Sequence, residues 1–419
     1  MSKPSFNYET LTHALPAPVR IPLPETITLY IRKEITQTGS TLLKVGDSVK
    51  TGQLLKLFEN DDESVVSSVT GKIDSISPFQ ADFGKTFTAI TISTEPVDEF
   101  DDGFASCTDD PTLEKMTAFL SSGPGKPPLG NFLDEEFPVK TIVVYGGDTD
   151  LLIDTNLFFL KNDIDAVNEG IKILRKTTGI NDIVIITPEE SLQNYSGHMD
   201  ARIESVSSTY PYAQPLMIVH QLTGSLPETG KINTTGICFI KAEAVASIGK
   251  AFQKRMPCFE KTVTVIDKNK DRHLVTARLG TPIGEIFNTL GIKVGNLDKI
   301  IFGGPMTGSA VYSEEIPIGP DTDAIIHQTK EDVSYSTDYP CINCGDCIRI
   351  CPANVPVNML VRFLEAGEYQ EGADLYDLYS CIECGLCSFV CVSRIPIFQY
   401  IRLAKHELGR ISIAEEMNE

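Results

Sequence analysis

The sequence predicts an α/β multidomain protein that ends in a small helical domain organised around thiols, and three stretches carry that expectation. The first is Lys140-Thr-Ile-Val-Val-Tyr145, a helical pattern near Asp163–Thr177, and then Asp182-Ile-Val-Ile-Ile-Thr187. Two apolar strands joined by a helix at this spacing form a βαβ unit, hence a parallel sheet with helices on its faces. The second runs from Leu43 to Ile73, where short β-type segments alternate with the turn glycines Gly46, Gly52 and Gly71. The third is a repeated cysteine run, Cys341-Ile-Asn-Cys344-Gly-Asp-Cys347-Ile-Arg-Ile-Cys351 and Cys381-Ile-Glu-Cys384-Gly-Leu-Cys387-Ser-Phe-Val-Cys391, with a helix-length spacer between the copies.

The cysteine spacing is the most informative feature. Two copies of C-x2-C-x2-C-x3-C are the ligand runs of a two-cluster bacterial ferredoxin, where three thiolates of one run hold a 4Fe-4S cube and the fourth reaches the other cube. Cys341, Cys344, Cys347 and Cys391 are therefore assigned to one cluster, and Cys381, Cys384, Cys387 and Cys351 to its partner. Three thiolates must converge from a tight loop, and Gly345 and Gly385 supply the positive φ such a loop needs. Pro352 ends the first loop, while Val392 stands at the equivalent place in the second and weakens its turn signal. Tetrathiolate zinc sites come from paired C-x2-C knuckles rather than from this run, and a disulfide framework suits a secreted chain better than one without a leader. Cys107, Cys238 and Cys258 fit no ligand pattern and are expected as buried small hydrophobes.

The chain has 419 residues and 42% hydrophobic content, enough for two to four domains with their own cores. With 57 acidic against 36 basic residues, a net charge of −21, it is a poor partner for nucleic acid or anionic lipid. No apolar run is long enough to span a bilayer and Met1-Ser-Lys-Pro-Ser-Phe has no apolar leader, so a cytoplasmic location is expected. The six His show no ligand spacing. Clustered iron-binding thiolates are oxidatively fragile, which points to a low-oxygen setting.

In chain order, residues 1–25 carry Pro16, Pro18, Pro22 and Pro24 and read as an extended arm along the surface. Residues 26–95 hold K-x-G-D-x-V-x-x-G-Q-L and V-x-G-x-I strings that resemble the barrel-sandwich hybrid of biotinyl and lipoyl carriers. The hairpin tip Glu59-Asn-Asp-Asp-Glu63 lacks a modifiable lysine, so the module is expected to be a structural cap. Residues 96–235 form a Rossmann-like α/β core, with ligands expected beyond the strand ends at Gly146–Asp150 and Thr187–Glu190. Residues 236–330 read as a β-grasp module starting at Ile237-Cys-Phe-Ile240, and Gly303-Gly304-Pro305-Met306-Thr307-Gly308 is a tight connection or a binding loop. Residues 331–409 form the cluster domain, with helices at Pro356–Ala366, Tyr369–Tyr379 and Phe398–Leu408, the last capped by Gly409. Residues 410–419 are a tail.

This order of parts, with Tyr210-Pro211, Thr223-Gly224, Arg255-x-Pro257, Gly280-Thr-Pro282 and Gly303-Gly-Pro-Met306, resembles the RnfC family, a component of the Rnf ferredoxin:NAD oxidoreductase complex. The resemblance runs from about residue 15 to residue 408. It implies a core similar to the flavoprotein subunit of respiratory complex I, an SLBB-type β-grasp module, FMN and NADH sites, and other redox subunits as partners. It also implies a peripheral place on the inner face of the cell membrane. The chain departs from the family's G-x-G-G-A-x-F-P-T loop, having Ser122-Gly123-Pro124-Gly125-Lys126-Pro127-Pro128, and from its N-G-A-E-C-E-P stretch, having Tyr145-Gly-Gly147-Asp148-Thr-Asp150-Leu151. Adjacent prolines remove N–H donors that a phosphate cradle would use. If a flavin is retained, Gly123, Gly125, Lys126, Asp148 and Asp150 are where it touches.

The expected function is a relay of single electrons through two 4Fe-4S clusters, with Ile342, Ile350, Ile382 and Phe389 shaping the surroundings of the sulfurs. No general acid or base is required. The alternative is an FMN-containing NADH dehydrogenase subunit, or a soluble relative such as a cobalamin reductase or the electron-transfer protein associated with proline reductase.

Overall fold

The computed structural model describes residues 4–8, 17–32, 41–59, 63–81, 84–188, 199–227, 230–337 and 339–416. The N-terminal strands are β1 (Val19–Arg20), β2 (Thr26–Ile31), β3 (Ser48–Val49), β4 (Leu54–Leu55), β5 (Val65–Val66), β6 (Gly71–Gln80) and β7 (Thr86–Thr94). An antiparallel sheet of order β2-β7-β6-β3 faces the small β4–β5 pair. In β2 the residues alternate, Ile27, Leu29 and Ile31 pointing inward onto Leu55, Val69, Ile90 and Ile92. Residues 60–62 of the expected hairpin tip lie outside the described residues.

The arm does more than lie on the surface. Asn7 bridges to Thr209, Tyr8 N–H donates to the Ser208 carbonyl at 2.6 Å and Tyr210 N–H to the Phe6 carbonyl at 2.8 Å, which buries Tyr8 to 5% exposure. Further on, β1 joins a sheet of the third domain.

The α/β core contains α1 (Ala105–Asp109), α2 (Leu113–Leu120), β8 (Thr141–Tyr145), α3 (Thr155–Asn162), α4 (Ile164–Thr178), β9 (Asp182–Pro188), β10 (Arg202–Val206), α5 (Pro215–Thr223), β11 (Ile237–Lys241) and α6 (Ala242–Lys254). Its sheet has the order β10-β9-β8-β11 and is parallel throughout. The βαβ reading holds, but the boundary at residue 235 does not, because β11 pairs with β8 from Ile237↔Thr141 to Lys241↔Tyr145. An isolated apolar strand carries no mark of which neighbouring sheet will take it. Helices α4 and α6 pack through glycines: a Cβ on Gly170 would stand 2.1 Å from the Val245 carbonyl oxygen.

The third domain has β12 (Glu260–Ile266), β13 (Arg272–Arg278), α7 (Ile283–Leu290), β14 (Lys299–Phe302), β15 (Ser309–Val311) and β16 (Ala324–Gln328) in the order β1-β13-β12-β16-β14-β15. A hairpin, a helix and two further strands, with β12 and β16 parallel at the centre, is β-grasp order. Ile283, Ile286 and Phe287 of α7 pack against Val263, Val265 and Ile325.

The last domain is helical, with α8 (Asp346–Ile350), α9 (Val357–Ala366), α10 (Tyr369–Leu375), α11 (Leu386–Phe389) and α12 (Ile397–Glu416) around Leu360, Val361, Leu364, Ile397, Ile401 and Ala404. α12 continues through Gly409, which does not adopt the left-handed conformation of a cap. An interior glycine costs a helix only about 1 kcal/mol relative to alanine, so the expected stop and the tail from residue 410 give way to more helix.

Candidate metal centre and the strand-end crevice

The two cysteine runs fold alike. Asn343 and Glu383 take φ of 57° and 56°, Gly345 and Gly385 take 79° and 73°, and Asn354 and Arg394 take 56° and 52°. Each run then enters a helix after a proline, Pro356 before Val357 and Pro396 before Ile397. Val392 therefore does not weaken the second turn, because the left-handed residue and the later proline set it.

The repeated turns bring the cysteines together in crossed sets. Cys341, Cys344, Cys347 and Cys391 line one cavity, with Ile342, Val361, Val392 and Ile395 around them. Cys351, Cys381, Cys384 and Cys387 form the other group: Cys351 lies near enough to each of the other three to raise its thiol. Burial is the larger cause, and it pushes the Cys381 thiol up to about 11 and Cys384 up to about 12. Backbone N–H groups point at the sulfurs, with Glu383 N–H 3.4 Å from Cys381 Sγ. Among the described residues no three donors converge as a single ion would require; these thiols stand around a space instead. Soft sulfur donors in two quartets, with N–H groups turned toward them, fit iron–sulfur cubes.

The quartets differ in surroundings. Cys344 is exposed and Ile342 is 66% exposed, whereas Cys384 and Ile382 are 8% and 7% exposed. Ile350 also packs inside, and Phe389, 58% exposed, meets Phe6 edge-on at 5.0 Å. The buried quartet is braced from three sides. Tyr210 Oη donates to the Cys384 carbonyl at 2.7 Å, Lys405 Nζ to the Cys381 carbonyl at 2.7 Å and to Glu383 at 2.9 Å, and Gly385 lies so close to the Met306 carbonyl that a Cβ would approach it to 2.4 Å.

Met306 belongs to the Gly303–Gly308 loop, which joins β14 to β15 and is also a bracket. Asp150 accepts from the N–H of Met306 at 3.3 Å, and from the N–H and Oγ1 of Thr307 at 2.8 and 2.6 Å. Burial raises the Asp150 carboxyl, and these hydrogen bonds pull the other way. Asp150 thus serves the loop that touches the second cysteine run.

The other expected cofactor contacts are similarly committed. Gly123 N–H donates to the Leu120 carbonyl at 2.9 Å, Gly125 N–H to Pro320 at 2.8 Å and Lys126 N–H to Gly123 at 2.9 Å. Pro124, Pro127 and Pro128 have no N–H to offer. Gly125 is pressed onto α6, where a Cβ would meet Ala244 N at 2.5 Å, and Lys126 Nζ pairs with Asp321 at 2.9 Å. Asp148 accepts from Asn156 N–H at 3.1 Å and Asn156 Nδ2 at 2.8 Å in the first turn of α3. Burial, and then the charge of Asp323, push its carboxyl up to about 7. The five residues therefore form no phosphate cradle. Thr187 ends β9 as expected; Glu189 and Glu190 lie outside the described residues.

Sequence reasoning missed a buried ion network beside this loop. Lys261, fully buried on β12, pairs with Glu243 of α6 and with Asp323 at 3.3 Å, and Lys241 also pairs with Asp323. Despite burial, Glu243 and Asp323 hold the Lys261 ammonium in its charged form. These residues lie far apart in the chain on otherwise apolar elements, so no local pattern announces them. Tyr8 was missed because arm residues carry no sign of where they dock. Cys107, Cys238 and Cys258 lie away from the quartets, with burial raising their thiols to about 11, 12 and 11.

Comparison with known proteins adds the family. Residues 10–96 match the RnfC barrel sandwich hybrid domain, and residues 340–395 match a 4Fe-4S dicluster domain. The chain is a member of the RnfC family. This RnfC-family chain is 26% identical, over 93% of its length and 90% of the relative's, to the RnfC-type component of the proton-translocating ferredoxin:NAD(+) oxidoreductase complex of Clostridium ljungdahlii. It is 25% identical over 84% of its length to the corresponding component of the ion-translocating oxidoreductase complex of Haemophilus influenzae, of which it spans only 56%. Among solved structures, the NAD+-reducing [NiFe]-hydrogenase in the H2-reduced state aligns with 70% of this chain and 62% of its own at 12% identity, with a TM-score of 0.45, too low to define a shared fold. No helix among the described residues is long and apolar enough to cross a membrane.

Proposed function

We propose that this RnfC-family chain is an electron-transfer subunit, with Cys341, Cys344, Cys347 and Cys391 holding one 4Fe-4S cluster and Cys351, Cys381, Cys384 and Cys387 the other. The observation that carries the reading is the crossing of the two cysteine runs, which gives each quartet three thiols from one run and the last thiol of the other. Such clusters, when bound, supply one-electron transfer over a short separation. The chain's residues hold and tune the sites: N–H donors turn toward the sulfurs, Lys405 and Tyr210 fix the second run, and apolar side chains exclude water. The exposed quartet is the side that faces a redox partner, and the buried quartet faces the chain's own core.

The relatives named above are components of ion-translocating oxidoreductase complexes, which supports other redox subunits as partners and a peripheral place beside a membrane. The β-grasp sheet is read as an SLBB-like docking module. The flavin that the family implies is not part of this reading, because its expected contacts are occupied within the chain.

Anaerobic purification followed by iron and acid-labile sulfide assay tests the proposal. About eight of each per chain, with visible absorbance bleached by dithionite, is the expected result. Bound zinc in place of iron would overturn it.

A further inference from the structure

In an open parallel sheet a nucleotide binds beyond the carboxyl ends of the strands, its phosphates on helix N-termini. Here both helix starts next to β8 and β11 are taken by the chain's own carboxylates. Asp148 accepts from Asn156 N–H at the start of α3, and Glu243 sits in the first turn of α6, tied to Lys261 and to Thr262 N–H at 3.0 Å. The loop that would cover a flavin phosphate is seated on α6 through Gly125, with its N–H groups turned to carbonyls.

The way from the strand ends to the buried quartet is filled as well. Tyr8 comes from the N-terminal arm, its ring centroid 5.5 Å from that of Tyr210, whose hydroxyl reaches the Cys384 carbonyl. Tyr8 Oη accepts from Ala213 N–H at 3.2 Å, and its phenol lies near both Asp150 and Cys384. Gln214 Nε2 closes the same spot by donating to the Thr149 carbonyl at 2.8 Å. Two buried hydroxyls at these strand ends, Tyr145 Oη and Thr187 Oγ1, have no partner among the described residues, and they are a water's complement rather than a cofactor's.

We infer that the nucleotide crevice of this chain is occupied by its own side chains, with Asp148 and Glu243 where phosphate would lie and Tyr8 in the passage to the buried quartet, so that electrons enter from another protein and not from a flavin or nicotinamide bound here. The closure stands on geometry alone; the route of the electrons rests on the relay reading above.

The experiment uses the full chain purified without oxygen. FMN is titrated with protein and its fluorescence followed, and NADH is then added with and without FMN while cluster absorbance is recorded, with dithionite last. The expected result is FMN emission without saturable quenching and bleaching by dithionite alone. Saturable quenching at one equivalent, or bleaching by NADH, would overturn the inference. Failure of dithionite to bleach would instead remove the relay reading, and the fluorescence titration would still decide whether the crevice is closed.

Discussion

The thiol region and the strand-end crevice lie against one another, yet they treat their polar groups in opposite ways. In the first, eight thiols line their sites without protein partners strong enough to replace a metal, and nearby N–H groups are turned toward sulfur. In the second, the carboxylates and loop N–H groups that could recognise a ligand are spent on the chain itself. Burial makes this meaningful, because a buried donor or acceptor is kept only if something satisfies it. Free donors mark where a guest is needed; satisfied ones mark where the fold has supplied its own.

The sharpest way to break the comparison is to remove a thiol. Cys347→Ser and Cys387→Ser should each lower iron from about eight to about four per chain, because each takes a ligand from a different quartet. The optical spectrum of the survivor would show which quartet remains. Unchanged iron in both variants would contradict the ligand sets.

Next in size is the contact that joins the two regions. A Cβ on Gly304 would lie 2.3 Å from the Asp150 carboxyl carbon, with no room for either to move while Thr307 is held. Gly304→Ala should cost about 1–3 kcal/mol in urea unfolding, as overpacking does, and should loosen the Met306 seat beneath Gly385. A variant as stable as the parent would show that the bracket is not rigid.

How much of this was legible beforehand follows from what kind of signal each region leaves. The quartets could be read because their geometry is local: three ligands fall within seven positions and the turn glycines sit between them. The βαβ unit and the β-grasp hairpin were equally visible, since periodicity and turn residues are local too. What escaped was pairing over distance. Nothing in Ile237–Lys241 told whether β8 or β12 would be its neighbour, and nothing in Tyr8 told that it would reach Asp150 and Tyr210. The altered glycine loop could be recognised as altered, but only the carbonyls of Leu120 and Pro320 explain where its N–H groups went.

Asp148 gives a pH test of the crevice. Its folded carboxyl titrates near 7, well above an unfolded aspartate, so the native state binds more protons between about pH 4 and 7. Its contribution is therefore fully present below the unfolded value and is lost as pH rises through 7, by at most about 4 kcal/mol. Asp148→Asn should flatten the fall in stability across that window, measured by denaturant unfolding at a series of pH values. An unchanged slope would mean that Asp148 does not carry the proton.

The smallest effect is expected where the sequence placed a cofactor lysine. Lys126 and Asp321 are 56% and 55% exposed, and an ion pair so open to solvent is worth no more than about 1 kcal/mol. Lys126→Ala should therefore leave dithionite bleaching, iron content and FMN fluorescence as in the parent, with stability changed by a fraction of that figure. The variant sharpens the comparison because it separates a surface pair from a ligand contact. A lysine that holds phosphate contributes through a charge-assisted bond in a desolvated site, and its loss would alter flavin retention before it altered folding. If the parent kept flavin through purification and Lys126→Ala released it, the crevice would belong with the thiol region as a place built for a guest.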